Sequence, residues 1–248
     1  MGEYPVGATA TTFRVVDELT KVERAGVTEL ADRLDLSKGG VHNHLRTLEQ
    51  LGYVVREDGE YRLGFRFLDL GSQIRARERL YQVARPHVER LAESSGETAS
   101  LVVEEQGEAV YVFSAGSDVD DPIRDGGRAP LHACAGGKAL LANKPERERD
   151  ELLGDELAPR TERTTTDRDE LASQLRTARD QRLAFDRGEL RPDRRAVAAP
   201  ILTDADVVVG AVSVSGPTER MSGKRLDEDM PGLVISCANS VTVEFVSS

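Results

Sequence analysis

The chain has 248 residues and a mass of 27.1 kDa, enough for two ordinary domains, with 39% hydrophobic and 31% charged residues. That apolar share excludes a disordered chain. No apolar run reaches the ~20 residues a bilayer-spanning helix needs, and the N-terminus lacks a basic stretch followed by an apolar one, so a cytoplasmic protein without a membrane partner is expected. The net charge of −11 argues at first sight against nucleic acid, but residues 1–75 carry 10 Lys+Arg against 12 Asp+Glu while the remainder carries 23 against 32.

The first 65 residues read as three helices and a hairpin. Phe13, Val16 and Leu19 recur at helical spacing behind Thr11 and Thr12, either of which suits a cap. Gly26 breaks the chain, and Thr28 is the expected N-cap of a short helix with Leu30, Ala31 and Leu34 on one face. Ser37 caps a third helix to about Leu51, with Gly52 as its C′ residue. Residues 53–56 and 61–63 are β-prone and flank an Asp58-Gly59 turn. Helical pattern resumes from Phe65 to about Ser95, with a break expected at Arg85-Pro86. The division expected from this pattern is residues 1–64, a linker helix over 65–80, and a second domain over 81–248. There, paired strands are expected over Thr98–Val103 and Ala109–Phe113, then helices over 135–143, 145–153 and 166–182. Buried strands follow over 196–202 and 207–215. A last helix runs from Gly223 to Val243, with or without a short extended tail. Strands mixed with helices in no βαβ order give an α+β class.

Helix, turn, helix and hairpin form a winged helix-turn-helix pattern. On a helical wheel Val41, Leu45 and Leu48, with His44 beside them, share the core side of the third helix. The opposite side carries Gly39, His42, Asn43, Arg46, Thr47 and Gln50, no carboxylate among those six. Arg bonds guanine bidentately and Asn or Gln bonds adenine, so this face suits base edges of double-stranded DNA. Ser37 and Lys38, with the free amides at the helix start, suit a phosphate, and Arg56 and Arg62 flank the hairpin tip where they reach adjacent backbone. His42 and His44 lie about 200° apart around the helix and cannot share a metal ion.

Three segments resemble the isocitrate lyase regulator (IclR) family of transcription factors: Gly126-Gly127-Arg128-Ala129-Pro130-Leu131-His132-Ala133-Cys134-Ala135-Gly136-Gly137-Lys138-Ala139-Leu140-Leu141-Ala142, Ala198-Ala199-Pro200-Ile201, and Gly210-Ala211-Val212-Ser213-Val214-Ser215-Gly216-Pro217. Their spacing agrees, as do Gly26-Val27-Thr28-Glu29-Leu30-Ala31, Tyr61-Arg62-Leu63-Gly64 and Gly96-Glu97-Thr98. The resemblance implies a winged helix, a linker helix and a GAF-like effector domain that binds a small carboxylic acid. It also implies a homodimer or dimer of dimers on operators near catabolic genes. It places effector contacts at Ala135, Gly136, Asp186, Arg194, Ala196, Ser213 and Ser215. Independently, small residues opening a helix at 133–137 suit a carboxylate, and alternation puts Ser213 and Ser215 on one strand face. Ala196 stands where several relatives carry cysteine, and Arg194 where some are apolar; the added guanidinium favours a more highly charged acid. With five Lys and 28 Arg, the acidic, Lys-poor composition resembles proteins of salt-loving archaea, in which net charge is a poor guide to DNA binding.

Rival chemistries find little support. Gly136-Gly137-Lys138 is not a P-loop, because His132 and Ala139 stand where Gly and Ser or Thr are required. There is no G-x-S-x-G nucleophile elbow, and His132 with Cys134 lacks a third group for thiol catalysis or metal binding. Cys134 and Cys237 are expected to be small buried residues. The expectation is a ligand-responsive regulator that needs no cofactor, with an enzyme acting on a small acid as the alternative.

Overall fold

The computed structural model describes residues 4–116 and 124–247. Two compact units divide between Ile74 and Arg75. The first holds α1 (Gly7–Val22), α2 (Val27–Leu34), α3 (Lys38–Gln50) and a hairpin of β1 (Val54–Glu57) and β2 (Glu60–Leu63). Val15, Val16 and Leu19 of α1 pack with Leu30, Val41, Leu45, Leu48, Val54 and Tyr61. Phe13, expected on this stripe, is exposed.

Two caps differ from expectation. Helix α1 starts at Gly7, so Thr11 and Thr12 lie a turn inside it, their hydroxyls donating back to the carbonyls of Gly7 (3.0 Å) and Ala8 (2.9 Å). Helix α2 starts at Val27 with Gly26 as N-cap, which leaves Thr28 inside the first turn. Gly52 follows the C-cap of α3 with φ +77°, as a C′ glycine should. The hairpin turn has φ 52° at Asp58 and 91° at Gly59, the left-handed pair whose twist matches the strands.

The expected break at Pro86 falls instead at Glu78, between α4 (Arg66–Arg77) and α5 (Arg79–Ser95). Pro86 stays inside α5 because Leu80, Val83, Val88 and Leu91 clamp that helix into a core, which outweighs the one main-chain bond the proline lacks.

The second unit is built on a six-stranded antiparallel sheet ordered β5-β4-β3-β8-β7-β6, from β3 (Thr98–Glu105), β4 (Glu108–Ala115), β5 (Arg128–Pro130), β6 (Ala184–Asp186), β7 (Arg194–Leu202) and β8 (Val208–Pro217). Strands β5 and β6, three residues each, are too short for alternation to reveal. Leu101, Val197, Val212 and Val214 face a core shared with α5 and α9 (Met230–Ser247). Val102, Ala196, Ala198 and Ala211 face the other core, with α6 (Ala135–Ala142) against the sheet and α8 (Arg168–Gln181) against α6. The short α7 (Glu146–Leu153) joins them in sequence.

Helix α9 opens through a wide turn at Arg225–Asp229 and stays helical to Ser247, with no extended tail. By length and composition alone, the stretch Arg225–Ser247 is long and apolar enough to cross a membrane, contrary to the sequence expectation. Its Val234, Cys237, Ala238 and Val241 are buried in the core, the ordinary reason for an apolar helix in a folded domain.

Candidate DNA-reading helix and effector cavity

On α3 the structure leaves Lys38, Gly39, His42, Asn43, Arg46, Thr47 and Gln50 exposed and buries Val41, Leu45 and Leu48. Ser37 is committed to the helix itself, its hydroxyl accepting from the Gly40 amide at 3.1 Å. The amides of Lys38 and Gly39 precede the first main-chain bond, from Val41 N to Ser37 O, and are the anion-facing donors of this helix start. Half-buried His44 has a structural partner: its Nδ1 lies 2.8 Å from the Thr12 hydroxyl and ties α3 to α1. Sequence reasoning missed Arg14, which donates to the Leu34 carbonyl at 2.9 Å and closes the end of α2.

The wing differs from expectation at one residue. Arg56 is exposed, with its guanidinium 5.6 Å from the Tyr61 ring centre. Arg62 instead donates twice to Glu57 Oε1, at 2.5 and 3.2 Å, and Arg24 adds a contact to the same carboxylate at 3.1 Å. The hydrogen bond from Arg62 holds the Glu57 carboxyl below its usual range. Positions 57 and 62 pair diagonally across the hairpin, a contact that a one-strand reading does not show.

In the second unit, the seven residues expected around an effector line one enclosed cavity with Tyr111, Leu190, Arg191 and Arg195. Ser213 and Ser215 stand on one face of β8, opposite Ala198 and Ala196 of β7. Small side chains on β7 leave the space, and α6 supplies its end. Cys134 N-caps that helix through its sulfur, which accepts from the Gly137 amide at 3.3 Å. The Ala135 and Gly136 amides precede the first main-chain bond, Lys138 N to Cys134 O. Gly136 packs so closely on Val102 that a Cβ would come within 2.9 Å of that side chain.

Asp186 closes β6 with its carboxyl inward. Oδ1 accepts from the amides of Gly188 (3.0 Å), Glu189 (2.6 Å) and Leu190 (3.4 Å), so this oxygen organises the loop, and the expected ligand role falls to the rest of the group. Burial pushes its pKa up to about 6. Buried Arg194 and half-buried Arg195 make the lining cationic on the other side. Tyr111 and Leu190 were not legible: neither motif nor spacing marks them, and only the pairing of β4 beside β3 and the turn after β6 bring them in. The free volume is about 20 Å³, room for roughly one water.

Nothing in this arrangement suits thiol chemistry. Burial raises the Cys134 thiol to about 11, and burial likewise holds His132 below its usual range while its Nε2 lies 3.1 Å from the Ala158 carbonyl. Both cysteines are buried, as expected. Among the described residues no group of three His, Cys, Asp or Glu is placed for a metal.

A helix-turn-helix over the N-terminal unit and an anion-suited cavity in the second agree with two family descriptions, the IclR helix-turn-helix domain over residues 9–58 and the bacterial transcriptional regulator IclR C-terminal domain over residues 73–243. The chain belongs to the IclR family. It is 33% identical over 232 residues to a probable HTH-type transcriptional regulator, ArcR, of Halobacterium salinarum, covering 89% of this chain and 88% of that one. It is 30% identical over 264 residues to the transcriptional repressor IclR of Escherichia coli, covering 98% and 95%. The crystal structure of the Thermotoga maritima IclR superimposes with a TM-score of 0.81 at 26% identity, over 96% of this chain and 98% of that one. As an IclR-family protein the chain is a ligand-responsive, DNA-binding transcriptional regulator and not an enzyme.

Proposed function

We propose that this IclR-family regulator acts in the cytoplasm as a homodimer or dimer of dimers. It reads an operator near catabolic genes through α3 and answers a small organic acid or sugar acid held in the enclosed cavity. The observation that carries the reading is the convergence on one cavity of the free α6 amides at Ala135 and Gly136 with Asp186, Arg194, Ser213 and Ser215. A carboxylate seated on those amides gains the helix-terminal field, and Ser213, Ser215 and Asp186 line the cavity beside the acid's hydroxyl or oxo groups. The cationic lining favours an acid with a second charged group, a dicarboxylate or a phosphorylated sugar acid. On the DNA side, Arg46, Asn43 and Gln50 meet bases, while Lys38, the Lys38 and Gly39 amides and Arg56 of the wing meet the backbone.

The test is calorimetry on a panel of small dicarboxylates, sugar acids and aromatic acids against the full chain. The reading expects one class to bind saturably and to lose affinity when Ser213 and Ser215 are both changed to Ala. An effector whose affinity is unmoved by that double change sits elsewhere, and the cavity assignment fails.

A further inference from the structure

The cavity assigned to the acid already holds one carboxyl oxygen without a partner. Asp186 commits Oδ1 to three loop amides, whereas Oδ2 makes no hydrogen bond among the described residues. Unlike Glu189 Oε2, which is unpartnered and sealed from solvent, Asp186 Oδ2 is not sealed, and its residue lines the cavity. Helix α6, whose Ala135 and Gly136 amides line the same cavity, packs against β6, the strand that Asp186 ends. An acid seated on those amides therefore brings a second carboxylate close to the first. The free space is only about 20 Å³, so little water comes between them.

Like charges at such range cannot both persist unless a cation serves the pair. The cations nearby have other work. Lys138 of α6 lies 2.6 Å from Glu189, and these two, the charges that bear most on Asp186, act on it in opposite directions. Arg191 is paired with Asp193 at 3.2 Å. Arg194 and Arg195 of β7 make the other side of the cavity cationic, where a second charged group of the acid meets them. Tyr111 of β4 and the Cys134 thiol, at about 11, bring no positive charge, and burial keeps His132 neutral. Burial alone holds the Asp186 carboxyl at about 6, and a neighbouring anion raises it further, so at pH 7.5 the free group is ionised and the liganded one protonated. We propose that Asp186 takes up a proton from solvent when the acid binds and donates it, from Oδ2, to an oxygen of that acid, so that the regulator reads effector and acidity together. This rests on the acid occupying the cavity as proposed above.

Titration calorimetry on the full chain tests this with the sodium salts of oxalate, D-gluconate, D-glucarate and benzoate, acids ionised throughout the range used. At least one is expected to bind and to lose affinity in the Ser213→Ala, Ser215→Ala double variant, as the cavity reading requires. For that acid, enthalpies at pH 7.5 in HEPES and in Tris, whose heats of ionisation differ, should report uptake of about one proton, and less at pH 5.5. Its affinity should change little below about pH 6 and fall by up to about tenfold per pH unit above it. Asp186→Asn keeps an acceptor for the loop amides and carries a permanent N–H donor in place of the proton. That variant should take up no proton and bind with the same affinity across the range. Circular dichroism confirms folding, and if Asp186→Asn fails to fold, the wild-type proton counts at the two pH values decide. Serine-dependent binding without proton uptake overturns the proposal and leaves the cavity reading intact, as does uptake that persists in Asp186→Asn. Binding that ignores the serine change, or no binding by any of the four acids, takes down the cavity reading and the proposal with it.

Discussion

At the scale of single residues, the proposed roles on α3 divide base reading from phosphate anchoring, and each has its own test. Arg46 and Asn43 are exposed on α3, and removing either should cost about 1–3 kcal/mol on the operator while leaving scrambled DNA little affected. Lys38→Ala should weaken both DNAs about equally, because a phosphate contact carries no sequence information. Gel-shift titrations at one fixed salt concentration check both; equal losses on the two DNAs for Arg46→Ala would remove it from base reading. Asp186 gives a pH signature of the opposite kind to an ion-paired carboxylate. Its folded pKa of about 6 lies above the ordinary value of 3.8, so the folded state binds the proton more tightly. Stability is then greatest below about pH 4 for this group and falls as pH rises through 6, by an order of magnitude of 3 kcal/mol. Asp186→Asn keeps an acceptor for the loop amides and removes the charge. Urea unfolding should therefore show the variant gaining on the wild-type protein between pH 4.5 and 7.5; a constant difference across that range would contradict the buried-carboxyl account.

At the scale of elements, packing decides which small residues are replaceable. A Cβ on Gly137 would run into the Leu131 carbonyl oxygen and lie 2.6 Å from its Cα, whereas one on Gly39 meets nothing within 4 Å. Gly137→Ala should lower stability by about 2 kcal/mol or more, since backbone cannot yield as a side-chain tip can. Gly39→Ala should stabilise α3 by several tenths of a kcal/mol through helix propensity. Thermal melts of the two variants should move in opposite directions. The same contrast explains what the sequence made legible. The reading face of α3 was visible because a 3.6-residue period gathers Val41, Leu45 and Leu48 on one side, with His44 beside them, and leaves the other polar residues opposite. The strand pair around Gln106-Gly107 was visible through its turn residues. The cap of α2 was not, because Gly26 serves with no side-chain bond to advertise it. Arg62 was misjudged because its partner Glu57 is found only once the hairpin register is known. The cavity residues from 133 to 137 and the Ser-x-Ser of β8 were legible as motif, while Tyr111 and Leu190 depend on strand neighbours that no local pattern encodes.

At the scale of the whole molecule, a ligand of the second unit has to alter DNA binding by the first. Among the described residues no side chain of α4 is fully buried: Phe67 is half-buried against the N-terminal core, while Phe65, just before the helix, is 80% exposed, Leu68 63% and Ile74 66%. Phe65 and Leu68, three residues apart, make one exposed apolar patch and Leu70 and Ile74, four apart, make another, surfaces suited to a second copy, and one short recognition helix rarely supplies operator specificity alone. Leu68→Asp should therefore weaken self-association and operator affinity together, while leaving acid binding in the second unit unchanged. Sedimentation and gel-shift titration on the same preparation check it; a monomeric variant with full operator affinity would refute dimeric reading. Coupling adds a stricter demand. A ligand shifts the operator-competent arrangement only by its differential affinity for the two states, and linkage makes that effect reciprocal. If saturating acid changes operator affinity tenfold, operator must change acid affinity tenfold, about 1.4 kcal/mol in either direction. Calorimetry of the acid into free and operator-bound protein measures the second factor directly. Equal acid affinities in the two titrations would break the link between cavity and DNA even if each site proved real.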